Sequence, residues 1–233
     1  MDSKISIYLS GSIKKGHEKG GEFFWKEEEL CLLKDNLPEY QVSFLNPACR
    51  SDDLSDPRSV FGRDMTQVFC SDVVFVDARD KRGLGVGAEM MWAKFHHIPI
   101  VTLAPKDSHY NKSKTTLLDT VVEEWVHPFI ASLSDAVVED LVEGASWIRK
   151  WLSSSVSETK DIQYIQSTMR YYLESQLSHD EPMKALTMNN EKLHKKIYGS
   201  TDGPLSAGRC YEKDLISLRG LCNNPGKLHE KIS

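Results

Sequence analysis

Residues 72–92 read DVVFVDARDKRGLGVGAEMMW, and this stretch decides the fold. Residues 73–76 are continuously apolar, as a parallel strand covered on both faces should be. A polar turn and three glycines follow, and Ala88-Glu89 then opens a helical pattern that runs to Phe95. The apolar run repeats at residues 98–103, and shorter β-rich runs stand at 5–9 and 42–45. Between the strands lie helical patterns. Residues 23–33 turn Phe23, Phe24, Leu30 and Leu33 inward, and residues 58–70 carry Val60, Phe61, Met65, Val68 and Phe69 on one stripe. Strands alternating with helices imply βαβ units with right-handed crossovers. The expected architecture is therefore α/β: a doubly wound, flavodoxin- or Rossmann-like parallel sheet of about five strands in residues 1–152, with a helical extension in 153–233. In such sheets ligands bind beyond the carboxyl ends of the strands. The turns Ser10-Gly11-Ser12, Asn46-Pro47, Asp77-Ala78-Arg79 and Ala104-Pro105-Lys106-Asp107 should all face one crevice.

The remaining chain reads as helices. Residues 135–152 keep Val137, Leu141, Ile148 and Leu152 at helical spacing, with Ser134 or Asp135 available as the cap. A serine-rich linker spans 153–157. Ile162, Ile165, Met169 and Tyr172 then mark another helix, whose stripe suits either packing on its own domain or a dimer seam. After Leu177 the sequence turns polar and aperiodic, which suits partial disorder or folding on a partner.

Composition narrows the function classes. Of the 233 residues 40% are hydrophobic and 27% charged, as in an ordinary globular protein. A net charge of −5 argues against a broad basic surface that coats nucleic acid. The five cysteines (Cys31, Cys49, Cys70, Cys210, Cys222) are scattered without zinc-ligand spacing, which favours reduced thiols and a cytoplasmic protein. No segment resembles a signal peptide or a membrane span, so a soluble protein is expected. Neither a metal nor a cofactor is called for.

The chemistry gathers around Glu89. A helix starting near Ala88 turns its free N–H groups and positive dipole end toward the crevice. A carboxylate in that first turn should stay ionised and nucleophilic near neutral pH. Two other readings fit the glycines. One is a dinucleotide fingerprint, against which stand the GxGxG spacing and the third-strand position. The other is an ordinary helix start. Asp64, in the helix before the third strand, and Tyr8, just ahead of Ser10-Gly11-Ser12, are the further polar groups of interest.

Taken in order, residues 7–13 (IYLSGSI), Arg63-Asp64-Met65, Ser71-Asp72-Val73-Val74 and Gly85-Val86-Gly87-Ala88-Glu89 resemble the nucleoside 2-deoxyribosyltransferase superfamily, including its 2′-deoxynucleoside 5′-phosphate N-hydrolases. The resemblance covers roughly residues 4–150. It implies that Glu89 attacks the sugar's anomeric carbon, that Asp64 helps to protonate the leaving base, and that Tyr8 hydrogen-bonds and orients Glu89. It also implies substrate contacts from Ser10, Gly11, Ser12, Gly83, Gly85 and Gly87. Asp77 or Asp80 would contact the base, and Ser134 or Asp135 would complete a neighbouring subunit's site in a homo-oligomer. The pattern departs from the family at Gly83, where the phosphate-binding hydrolases carry serine. Lys14 and Lys15 suit either a 5′-phosphate or plain surface charge. Ala88 and Met90 flank Glu89 with small or flexible groups that would widen the base pocket.

The function so implied is cleavage of an N-glycosidic bond in a nucleoside or nucleotide through a glycosyl-Glu89 intermediate, by a hydrolase or a deoxyribosyltransferase. The C-terminal extension suggests an effector in phage defence, restrained by a regulatory protein or a nucleic acid. The alternative is a non-catalytic nucleotide sensor whose extension binds a partner. Three lesser clusters remain. Arg50, Asp52 and Asp53 suit the crevice or a solvated loop, His96-His97 suits a helix end, and Ser108-His109-Tyr110 lacks a nucleophile elbow.

Overall fold

The alternation of apolar runs and helical stripes produces five parallel strands in a computed structural model that describes residues 3–11, 25–154 and 159–199. The chain divides into two units, Met1–Lys160 and Asp161–Ser233. In the first, the elements are β1 (Ser3–Ser10), α1 (Glu27–Asp35), β2 (Tyr40–Leu45), α2 (Pro57–Cys70), β3 (Val73–Asp77), α3 (Leu84–Phe95), β4 (Ile100–Leu103), β5 (Asn111–Leu117), β6 (Thr120–Val126), α4 (Pro128–Leu133), β7 (Ala136–Val138) and α5 (Leu141–Ser153). The main sheet has the order β2-β1-β3-β4-β7, parallel throughout. This is the doubly wound α/β fold expected from the sequence. The chain runs outward from β1 to β2 and then returns to the other side of β1, so the strand order reverses between β1 and β3. A crevice opens at such a switch point.

The strands' period of two sorts their residues between the two faces. Ile5, Ile7, Leu9, Val73, Phe75, Val101 and Leu103 share one buried cluster with Leu33 of α1 and Leu141, Ala145 and Ile148 of α5. Tyr8 and Ser10 point the other way, toward α2 and α3. Gly144 lets α5 approach the sheet closely: a Cβ there would stand 2.5 Å from Phe75 Cζ and 2.7 Å from Cε2. Phe75 is fully buried and packs edge-on against Trp25, so the ring has little room to retreat. Gly144→Ala is therefore expected to destabilise the protein by about 1–3 kcal/mol through overpacking, despite alanine's better helix propensity. Denaturant midpoints test this, and a stabilised variant would show that Phe75 moves freely.

Several boundaries differ from the sequence reading. The helix expected over 135–152 is two elements. Ala136–Val138 is the fifth strand, and α5 starts at Leu141 behind Asp140, whose carboxylate accepts the Glu143 N–H at 2.8 Å. Two adjacent valines suit the strand, and Asp140 is the effective cap rather than Ser134 or Asp135. The hairpin β5–β6 was not expected. Its turn residues Leu118 and Asp119 have φ of 45° and 67°, where glycine or asparagine is the usual signal. Helix α1 begins at Glu27, and the part of its predicted stripe at Phe23 and Phe24 lies outside the described residues.

In the second unit, α6 (Ile162–Tyr171) starts behind Asp161, which accepts N–H bonds from Gln163 and Tyr164. A π turn (Tyr172–Gln176) and a short 3₁₀ turn (Leu177–His179) follow. Two helices then stand where polarity suggested none: α7 (Glu181–Asn189) and α8 (Glu191–Tyr198), capped by Asp180 and Asn190. Their cap residues were the available signal. The tail expected to be disordered lies, from residue 200 on, outside the described residues. Among the described residues no helix is long and apolar enough to cross a membrane.

Candidate active site

Glu89 reaches the crevice from α3, which follows the carboxyl end of β3. The helix begins at Leu84, not Ala88, so Glu89 lies beyond its first turn and receives little of the dipole's end effect. The expectation that the helix N-terminus stabilises the anion is corrected accordingly. The side chain is buried, and burial raises its carboxyl above the usual glutamate range. The opposing influence is Ser10, at the end of β1, whose Oγ donates to Glu89 Oε2 at 2.5 Å. A charge-assisted bond of this kind favours the carboxylate.

Tyr8 is fully buried on the same sheet face, and its hydroxyl also holds the Glu89 carboxyl down. The contact lacks the geometry of a full hydrogen bond, and the hydroxyl has no such bond to any described group. Burial first, then the negative charges of Glu89 and Asp64, push the phenol far up. Tyr8 is therefore neutral beside Glu89, and Ser10 makes the direct hydrogen bond to the carboxylate. The sequence reading gave Ser10 to the substrate and the orienting role to Tyr8; the structure adds a Ser10 hydrogen bond to Glu89 beside the Tyr8 contact.

Asp64 comes from α2, and its charge raises both Glu89 and Tyr8. Its own carboxyl is raised by burial and held down by Arg50 and Arg63. Arg50 Nη1 stands 3.4 Å from each Asp64 oxygen, and Arg63 Nη1 stands 3.4 Å from Oδ1. Arg50 also clasps Asp52 through Nε and Nη2 at 2.8 and 2.7 Å. Arg50 and Asp52 thus belong to the carboxylate network behind the crevice, not to a solvated loop. Nothing in the sequence spacing tied them to Asp64, since a 14-residue separation across a loop and a helix has no signature.

Between α2 and α3 a cleft of about 470 Å³ opens onto Glu89 and Asp64. Its volume lies within the ~300–1,000 Å³ of small-molecule sites. Leu54, Pro57, Val60, Phe61 and Met65 make its opposite wall apolar. Of the three glycines, only Gly85 borders the carboxylate: a Cβ there would meet Glu89 Oε1 at 3.9 Å. It lies one helical turn before Glu89, and the absence of a side chain leaves Oε1 open to the cleft. Gly83 and Gly87 are exposed, with nothing within 4 Å of a Cβ at either position.

The remaining predicted site residues lie elsewhere or are already engaged. Asp77 is fully buried, and Arg79 and Arg82 occupy both its oxygens. It braces the loop ahead of α3 instead of facing a base. Tyr110, at the root of the β5–β6 hairpin, accepts the Arg82 N–H at 2.8 Å and pins the same loop from the other side. Asp80 is exposed. Ser134 is buried at the amino end of β7, opposite the crevice, with its hydroxyl 2.6 Å from Thr102 Oγ1. Asp135 beside it pairs with Lys94. Neither fits a role in completing a neighbouring site. Gly11 ends the described part of its turn, and Ser12, Lys14 and Lys15 lie outside the described residues. Cys31, Cys49 and Cys70 form no disulfide, and no group of three or more metal-ligating side chains occurs among the described residues.

No family model matches this chain, and no curated protein matches it. Among solved structures, a conserved protein from Enterococcus faecalis V583 superposes with a TM-score of 0.48 at 15% identity, over 64% of this chain and 99% of that one.

Proposed function

We propose that the protein cleaves the N-glycosidic bond of a nucleoside or nucleotide, with Glu89 as nucleophile and Asp64 as proton donor. The observation that carries this reading is the placement of two partly or wholly buried carboxyls on one cleft, each raised by burial, with the Asp64 charge also opposing ionisation of Glu89. A neighbouring carboxylate makes it harder for both to ionise at once, and an acid and nucleophile pair needs one protonated and one ionised group. Glu89 Oε1 bonds to the anomeric carbon as the carbon–nitrogen bond breaks, and the Asp64 proton passes to the departing nitrogen. The Asp64 carboxylate then takes a proton from water, or from an acceptor base, as that nucleophile displaces Glu89. The apolar wall with Phe61 suits a flat base held by stacking. The family resemblance of residues 7–13, 63–65 and 85–89 points to the same chemistry.

The test is base release from a panel of ribo- and deoxyribonucleosides, their 5′-phosphates and NAD, with and without an acceptor base, followed by chromatography. Release of free base identifies a hydrolase, and exchange only with acceptor identifies a transferase. Tight binding of a nucleotide without any release would instead make the cleft a sensor.

A further inference from the structure

Asp64 sits between two guanidiniums, an arrangement that ordinarily holds a carboxyl ionised and so unfit to donate a proton. What distinguishes this pair of arginines is a second acid on their far side. Asp52 takes Arg50 through both carboxylate oxygens, lies 3.7 Å from Arg63 Nε, and accepts Ser59 Oγ at 3.1 Å. Arg50 is only 9% exposed at its side chain, so solvent screens these charges weakly. The four groups form a closed quartet of two cations and two anions, and its tightest contact lies away from the cleft. We propose that Asp52 and Arg50 form a charge relay that sets the protonation of Asp64: Asp52 neutralises Arg50 and so leaves Asp64 able to carry a proton. Both are positioning residues, since neither lines the cleft, and their meaning for catalysis rests on the reading of Asp64 as the proton donor.

The charges facing Asp64 are Arg63 on its own helix, Arg50 and Asp52 on the loop after β2, Glu89 on α3, and the neutral Tyr8 on β1. Their signs make the relay testable in two opposite directions. Asp52→Asn removes an anion and releases Arg50 toward Asp64, both of which favour the Asp64 carboxylate. Arg50→Gln removes a cation and favours the protonated form. A merely structural role would loosen the loop in both variants, admit water, and move Asp64 the same way in each. Arg50→Lys keeps the cation without the two-pronged clasp, and guards against a misfolded glutamine variant.

The experiment is a carbon-13 NMR titration of the Asp64 carboxyl in the full chain, its signal assigned by loss in Asp64→Asn, beside pH profiles of base release. Asp52→Asn is expected to lower the titration midpoint by about one pH unit or more and Arg50→Gln to raise it, with Arg50→Lys near wild type. The alkaline limb of kcat should follow in the same directions. Midpoints that stay put, or that move together, overturn the relay. Opposed shifts without base release from any substrate would keep the relay and remove the glycosidase reading. Base release with unmoved midpoints would do the reverse.

Discussion

Glu89→Gln is expected to cut base release by about 10³-fold or more and, at neutral pH, to make the protein more stable than wild type. The first effect follows from the nucleophilic role proposed for Glu89: an amide keeps the shape of the side chain and can still accept the Ser10 hydroxyl, but it forms no glycosyl ester. The second follows from burial. The folded carboxyl titrates above its unfolded reference of 4.5, so the folded state holds its proton more tightly than the unfolded one. Stability contributed by this group is fully present below pH 4.5 and is lost as pH rises through the folded value. Asp64 adds to the cost, because ionising Glu89 places a second negative charge near the first. The glutamine variant escapes that loss, so its advantage over wild type should be small near pH 4 and grow toward pH 7.5. Melting temperatures at the two pH values check the sign. A variant less stable than wild type at pH 7.5, or one that still turns over, would mean that Glu89 is not a strained buried nucleophile. A gain in stability at the expense of activity is the usual mark of a functional carboxylate.

The fold was legible where sequence and burial share a period. The apolar run at residues 73–76 is buried throughout and became β3; the stripe from Val60 to Phe69 became α2, with Val68 buried and Val60, Phe61 and Met65 lining the cleft. The extra strand and the hairpin were hidden for different reasons. Ala136–Val138 is too short to show a period of two, and its valines also fit the helix that follows. The hairpin turn is made by leucine and aspartate at positive φ, so its tight turn carries no glycine signal. Within the site, Glu89, Asp64 and Tyr8 were singled out in the sequence, and the Asp64 charge bears on both Glu89 and Tyr8. What surrounds them was not readable. The Ser10 bond to Glu89 depends on rotamer and reach, and the Arg50–Asp52 clasp depends on how a loop folds back over α2. Side-chain direction within a face is decided by packing, which a single sequence does not display.

A buried ion pair on the far side of the same helix sets the second large expectation. Lys94, near the end of α3, is fully buried and pairs with Asp135, whose side chain is only 4% exposed. Asp135 also accepts the N–H of Ile100 at 2.6 Å and of Lys160 at 2.7 Å, so it ties α3, β4 and the end of the first unit to the start of β7. Removing one partner of such a pair costs about 3–5 kcal/mol where the other charge is left uncompensated, and Asp135 would keep only the Lys160 ammonium acting on it. Lys94→Met fills nearly the same volume, so the loss should come from the stranded Asp135 rather than from a cavity. For a chain of this size it should lower the melting temperature by about 10 °C. Asp135→Asn removes the stranded charge but keeps an acceptor oxygen for only one of the two N–H groups, which bind different oxygens of Asp135, so the double variant should recover part of the loss. A double-mutant cycle measures the coupling. If Lys94→Met melts within a degree or two of wild type, water or another cation serves Asp135, and the pair does not hold α3 in place. If the predicted loss appears while base release per folded molecule persists well below the transition, then Ser10 is what aims Glu89 and the buried pair only keeps its helix docked. If release falls together with stability, the register of α3 is part of the catalytic geometry.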